Sequence, residues 1–175
     1  MVGCLTLVAT LATTSMNHRQ AARLAAESRS ELRRDAAREL IVEVLVTGRE
    51  WVSNSELMIP VLGRFKQSDH LEFVETDSGK AMAVRNTRLT RALTEARMRI
   101  ADVPLVKLID TISRLHNQAP EKAMGPVVEA SFSSAGRAPM EPILEALQYV
   151  RSVGLALDEL EREATPYLQI GLGPA

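Results

Sequence analysis

The side chains best suited to metal or nucleophilic chemistry are few: three histidines, His18, His70 and His116, and one cysteine, Cys4. A metal site needs such ligands at spacings that bring them to one face, as two histidines four apart on a helix are. No pair here has that spacing. Asp69-His70 with Glu72 comes nearest to a ligand cluster, and its composition is that of a solvated turn. A single cysteine excludes an internal disulfide and a cysteine-based zinc site. Ser133-Ser134 near Gly136 lacks the glycine spacing of a nucleophile elbow. No phosphate-binding loop occurs, and Gly171-Leu172-Gly173 has too little chain after it to open a dinucleotide fold. Glu27, Glu31, Asp35 and Glu39 form an acidic stripe four residues apart, but no Glu-x-x-His pair supports a di-iron site. His116 falls near the end of a predicted helix, where an imidazole suits the helix dipole. The reading is a protein that is not an enzyme, with no catalytic, cofactor-binding or metal-binding residues.

One charged pattern stands out. Residues 80–99 carry Lys80, Arg85, Arg88, Arg91, Arg97 and Arg99 against Glu95 alone. An arginine-rich helix face can hold phosphate, so Arg85, Arg88 and Arg91 form a candidate basic interaction face. The next segment, Val-Pro-Leu-Val-Lys-Leu-Ile-Asp, is core-like and lacks base-reading side chains, which argues against nucleic acid as a partner. Pairing with the acidic last helix (Glu141, Glu145, Asp158, Glu159, Glu161, Glu163) or plain solvation accounts for the face more simply. Globally the charge is −1, so there is no overall pull toward polyanions. The balance is uneven: residues 1–120 hold 17 Lys+Arg against 14 Asp+Glu, and residues 121–175 hold 4 against 8.

These side chains sit on a helical framework. At 175 residues one domain is expected, large enough to bury a core. Aromatic content is 3%, so that core must be aliphatic. From about Asn17 to Gln67 the pattern reads as one long helix, first polar, with a thin apolar line at Leu24, Ala25, Leu32 and Ala36. It then carries a full stripe through Leu40, Ile41, Val44, Leu45, Trp51, Val52, Met58, Ile59, Leu62 and Phe65. At 1.5 Å per residue it would reach roughly 75 Å, which predicts a stalk. Pro60 should kink or end it, and Gly48 and Gly63 weaken it. Residues 68–79 predict a loop or a single helical turn, with Asp77 or Ser78 capping a helix from about Lys80 to Ile100. Asp102 caps a third helix with Pro104 in its first turn. Residues 119–142, rich in proline and glycine, predict a loop with a short helix near Val127–Ala130. The last helix runs from about Met140 to Ala164, with Gly154 expected at a close helix contact and Pro166 as its stop. The predicted core includes Leu45, Trp51, Leu93, Ile109, Ile112, Leu147 and Leu157.

Residues 1–17 carry no charged side chain. Their run is shorter than the roughly 20 apolar residues of a spanning helix, and it lacks the positive region of a secretory signal. It reads as a short transmembrane helix, as the first turns of a soluble helix, or as a cleaved signal. In the first case Leu5, Leu7, Val8 and Leu11 are candidate membrane contacts, and the arginines that follow place the bulk in the cytoplasm. The stretch Leu5 to Glu43, especially HRQAARLAAESRSELRRDAARE, resembles a diffuse group of uncharacterised actinobacterial proteins. These have a short N-terminal transmembrane segment and a cytoplasmic helical bundle. The resemblance implies a layout, with no activity or site residues to carry over.

The sequence therefore predicts an all-α fold: a long N-terminal helix plus an antiparallel bundle of three to four helices. Residues 1–17 form an apolar segment, 18–165 the bundle and 166–175 a tail. The function expected is a membrane-tethered interaction or scaffold protein at the inner membrane, self-associating along its first helix, in part as a coiled coil. The alternative is a soluble cytoplasmic regulator that binds nucleic acid through residues 80–99.

Overall fold

Helix-forming residues and their caps account for nearly every element. The computed structural model describes residues 2–134 and 136–168; the side chains of residues 2–19, Gln67 and Leu71 lie outside the description. The elements are α1 (Val2–Leu62), α2 (Gln67–Glu75), α3 (Asp77–Arg99), α4 (Val103–Ala119), a π-helical turn (Pro120–Met124), α5 (Gly125–Ser133) and α6 (Met140–Leu168). No strand occurs among the described residues. The chain divides into two units, Met1–Ala36 and Ala37–Ala175.

In the first unit every described side chain from Gln20 to Asp35 is exposed. In the second, α1 buries Leu40, Ile41, Val44, Leu45, Trp51, Ile59 and Leu62, spaced to share one face. Pro60 lies inside the last turn of α1, and the helix ends two residues on. There a missing N–H costs little further helix. The exit is tied down by Ala138 N–H, which donates to the Gly63 carbonyl at 2.7 Å.

Residues 67–75 are a two-turn helix, longer than the predicted single turn. Asp69 is its reason: the carboxylate accepts from the Lys66 N–H at 2.9 Å, satisfying an orphan donor at the helix start. That bond, and a second from Ser68, hold the Asp69 carboxyl below its usual range. Thr76, not Asp77 or Ser78, caps α3, accepting from the Gly79 N–H at 3.1 Å while its hydroxyl donates to the Phe73 carbonyl at 2.6 Å. Gly79 is obligatory at this corner, because a Cβ there would lie 2.1 Å from the Phe73 carbonyl oxygen.

α3 buries Leu89, Ala92, Leu93 and Ala96. α4 starts as predicted, with Asp102 accepting from the Leu105 N–H at 3.1 Å, and buries Leu105, Ile109, Ile112, His116 and Ala119. The other Asp102 oxygen accepts from the Tyr167 hydroxyl at 2.8 Å, joining the end of α6 to the start of α4.

The proline-rich stretch is more helical than expected: the short helix predicted near Val127–Ala130 lies within α5, and residues 119–124, expected as loop, are helical too. Pro120 opens the π turn and Pro126 sits in the first turn of α5; the backbone stays helical through both, so each proline removes a local hydrogen bond without ending the helix. The π turn is closed by the Gly125 N–H bonding to the Pro120 carbonyl. The true break is short, between Ser134 and Pro139, with Gly136 at φ +87°. α6 also runs past Pro166, which removes a single bond in its last turn.

The predicted core residues Leu45, Trp51, Leu93, Ile109, Ile112 and Leu157 are buried, and Leu147 is half-buried against them. The close helix contact lies at Gly48, not Gly154. A Cβ at 48 would stand 2.7 Å from a Leu157 methyl, whereas one at 154 would find only Val52 at an ordinary 3.8 Å.

Candidate functional site

Lys and Arg on α3 are largely matched by carboxylates close at hand. Arg88 reaches Glu50 at 3.4 Å and Glu43 at 3.8 Å, both on α1. Arg91 pairs with Glu95 one turn on at 2.8 Å, a hydrogen bond that raises its already high pKa. Arg97 reaches Asp110 of α4 at 2.8 Å. Arg85 is half-buried and makes no ion pair among the described residues. The expected partner, the acidic last helix, serves other cations: Asp158 and Glu161 hold Arg49 of α1. All these pairs are exposed, where each contributes at most about 1 kcal/mol. They neutralise the face without locking it.

His116 is not a solvent-facing residue at a helix end. It is 2% exposed and meets Trp51 edge-on, with ring centroids 5.0 Å apart. Its Nε2 lies 3.1 Å from the Thr90 hydroxyl, which is also 3.0 Å from the Asn86 carbonyl. Thr90 donating to Asn86 and accepting from Nε2–H satisfies both groups and leaves Nδ1 as a lone pair with no partner. Burial lowers the His116 pKa, so the neutral ring is the stable form.

Beside this pair is a cavity of about 450 Å³. Trp51, Leu62 and Ala119 form its buried floor. α2 contributes His70, Phe73 and Val74; α3 contributes Gly79, Met82, Ala83 and Asn86. The π turn and α5 close it with Pro120, Met124, Gly125 and Val128. No residue that lines it carries a fixed charge, although a quarter of the chain is charged. His70 is held by aromatic edges: Phe132 at 5.8 Å and Phe65 at 6.3 Å, with Phe73 in turn 5.2 Å from Phe65. The three phenylalanines of the chain thus gather at the α2 wall. His70 Nδ1 is buried without a partner.

Sequence reasoning missed this cavity. Its walls come from four separated stretches: those on α1 and α3 were predicted as helix, residues 68–79 showed only the apolar patch Leu71, Phe73 and Val74, and the prolines at 120 and 126 pointed to a loop. Asp69, His70 and Glu72 do not converge: Asp69 is spent on its cap and His70 faces phenylalanines. Among the described residues no group of three or more His, Cys, Asp or Glu could hold a metal ion, and no helix is long and apolar enough to cross a membrane. Leu5, Leu7, Val8 and Leu11 lie outside the residues whose side chains are described. No protein family, curated protein or solved structure matches the chain.

Proposed function

We propose that this protein is a helical interaction protein, tethered at a membrane through residues 1–17 and self-associating along its first helix. One observation carries the reading: α1 continues through Gln20–Asp35 with every side chain exposed, Leu24 at 60% and Leu32 at 66%. Helix stability comes chiefly from packing an apolar face, and this stretch finds no such packing within its own unit. Two leucines per chain, each contributing about 1.5–3 kcal/mol when fully buried, supply a modest driving force for pairing. Tethering would raise it by concentrating chains on one surface. Arginines after residue 17 favour a cytoplasmic bulk under the positive-inside rule. The resemblance of Leu5–Glu43 to actinobacterial proteins with an N-terminal transmembrane segment agrees with this reading.

Sedimentation equilibrium of the full chain in mild detergent tests the pairing. Wild type should associate reversibly, and Leu24→Glu with Leu32→Glu should shift it to monomer with the α-helical spectrum retained. A monomeric wild type would reject self-association. Retention in the membrane pellet after alkaline carbonate washing supports the tether, and release rejects it. The nucleic-acid alternative is weakened because Arg88 and Arg91 already face carboxylates. A salt-sensitive gel shift abolished by alanine at Arg85, Arg88 and Arg91 would revive it.

A further inference from the structure

The pocket of about 450 Å³ opens to solvent, and its floor of Trp51, Leu62 and Ala119 is apolar and buried. Stiff local devices hold it open. At the α2–α3 corner, Thr76 bonds both helices and Gly79 sits where a Cβ would strike the Phe73 carbonyl oxygen. On the opposite wall, the π turn inserts an extra residue per turn, a feature frequent at functional sites. Gly125 completes that turn, its missing Cβ leaving room 3.0 Å from the Pro120 oxygen.

The lining chooses the occupant. Trp51, Phe73, Met82 and Met124 offer aromatic and polarizable surface, and Met adapts to irregular shapes. Asn86 and His70 bring the polar side chains, and with no fixed charge on the wall an ionised ligand would be desolvated without compensation. The volume lies in the range of small-molecule sites with such walls. We infer that the cavity bounded by α2, α3 and the π turn is a binding site for a neutral, mostly apolar small molecule. Asn86 and His70 are the lining side chains that can hydrogen-bond a polar group on such a ligand.

Trp51 is the only tryptophan and lies in the cavity floor, so it is a built-in reporter. The full-length protein would be titrated with N-phenyl-1-naphthylamine, a neutral aromatic probe with a single N–H. The expected result is saturable binding at one probe per chain, with Trp51 emission quenched by transfer to the probe. Ala83→Phe and Asn86→Phe, at exposed positions lining the cavity, should each weaken binding by about tenfold or more. Val84→Phe, next along α3 but outside the lining, should leave it unchanged. The anionic analogue 1-anilinonaphthalene-8-sulfonate should bind at least about tenfold more weakly than the neutral probe. Absence of saturable binding to wild type, or binding equally strong in Ala83→Phe and Asn86→Phe with helical content intact, overturns the assignment. Tighter binding of the anionic probe overturns the neutral-ligand part.

Discussion

Alanine in place of Gly48 and Gly154 separates helix propensity from packing, since both glycines lie inside long helices. Exchange for alanine gains about 1 kcal/mol of propensity at either position. At 154 the new methyl meets Val52 at 3.8 Å, an ordinary contact, so Gly154→Ala should stabilise the protein by nearly that amount. At 48 the methyl would lie 2.7 and 2.8 Å from the two Leu157 methyls, where carbon pairs settle at about 3.5–4.0 Å. Leu157 is fully buried and has no solvent to swing into. Overpacking of this kind costs about 1–3 kcal/mol, which leaves Gly48→Ala between neutral and about 2 kcal/mol destabilising. The two variants should therefore differ by about 1–3 kcal/mol in urea denaturation followed by circular dichroism, at equal m-values. A relief experiment sharpens this. Leu157→Ala alone should cost about 2–5 kcal/mol, and in that background Gly48→Ala should turn stabilising. Equal stabilisation by both glycine replacements, or no change of sign in the Leu157→Ala background, would refute the claim that α1 and α6 meet at Gly48.

Leu93 is 2% exposed on α3, so Leu93→Asp buries an unpaired carboxylate and should abolish cooperative thermal unfolding; a native-like melt would remove Leu93 from the core. His116 has a pKa below its ordinary 6.5 in the folded state, because burial penalises the cation. Below pH 6.5 the unfolded chain therefore takes up the proton first. The His116 contribution is complete above that pH and declines as pH falls through the folded value, by at most about 1.4 kcal/mol per pH unit. His116→Gln should flatten that part of the stability–pH curve, and an unchanged slope would contradict burial of a neutral ring. Gly79→Ala forces a Cβ to within 2.1 Å of a carbonyl oxygen, so it should destabilise by about 3 kcal/mol or splay α2 from α3. Hydrogen exchange should then rise at Gln67–Glu75 first; unaltered protection there would argue against the corner as described.

The helices were legible in the sequence because their evidence is local. Burial at i, i+3 and i+4 follows from 3.6 residues per turn, so Ile109, Ile112 and Leu93 could be assigned to the core from spacing alone, as could the cap at Asp102. Prolines misled at residues 120, 126 and 166, because their effect depends on whether the lost N–H was needed at that turn, which composition does not record. Three further matters were decided only in the tertiary structure: which glycine meets a neighbouring helix, which carboxylates face Arg88, and where His116 points. The cavity belongs with them. Its floor on α1 and its walls on α2, α3 and the π turn come together only when helices distant in sequence pack. Helix formation reads neighbours along the chain; cavities, charge pairing and close contacts read neighbours in space.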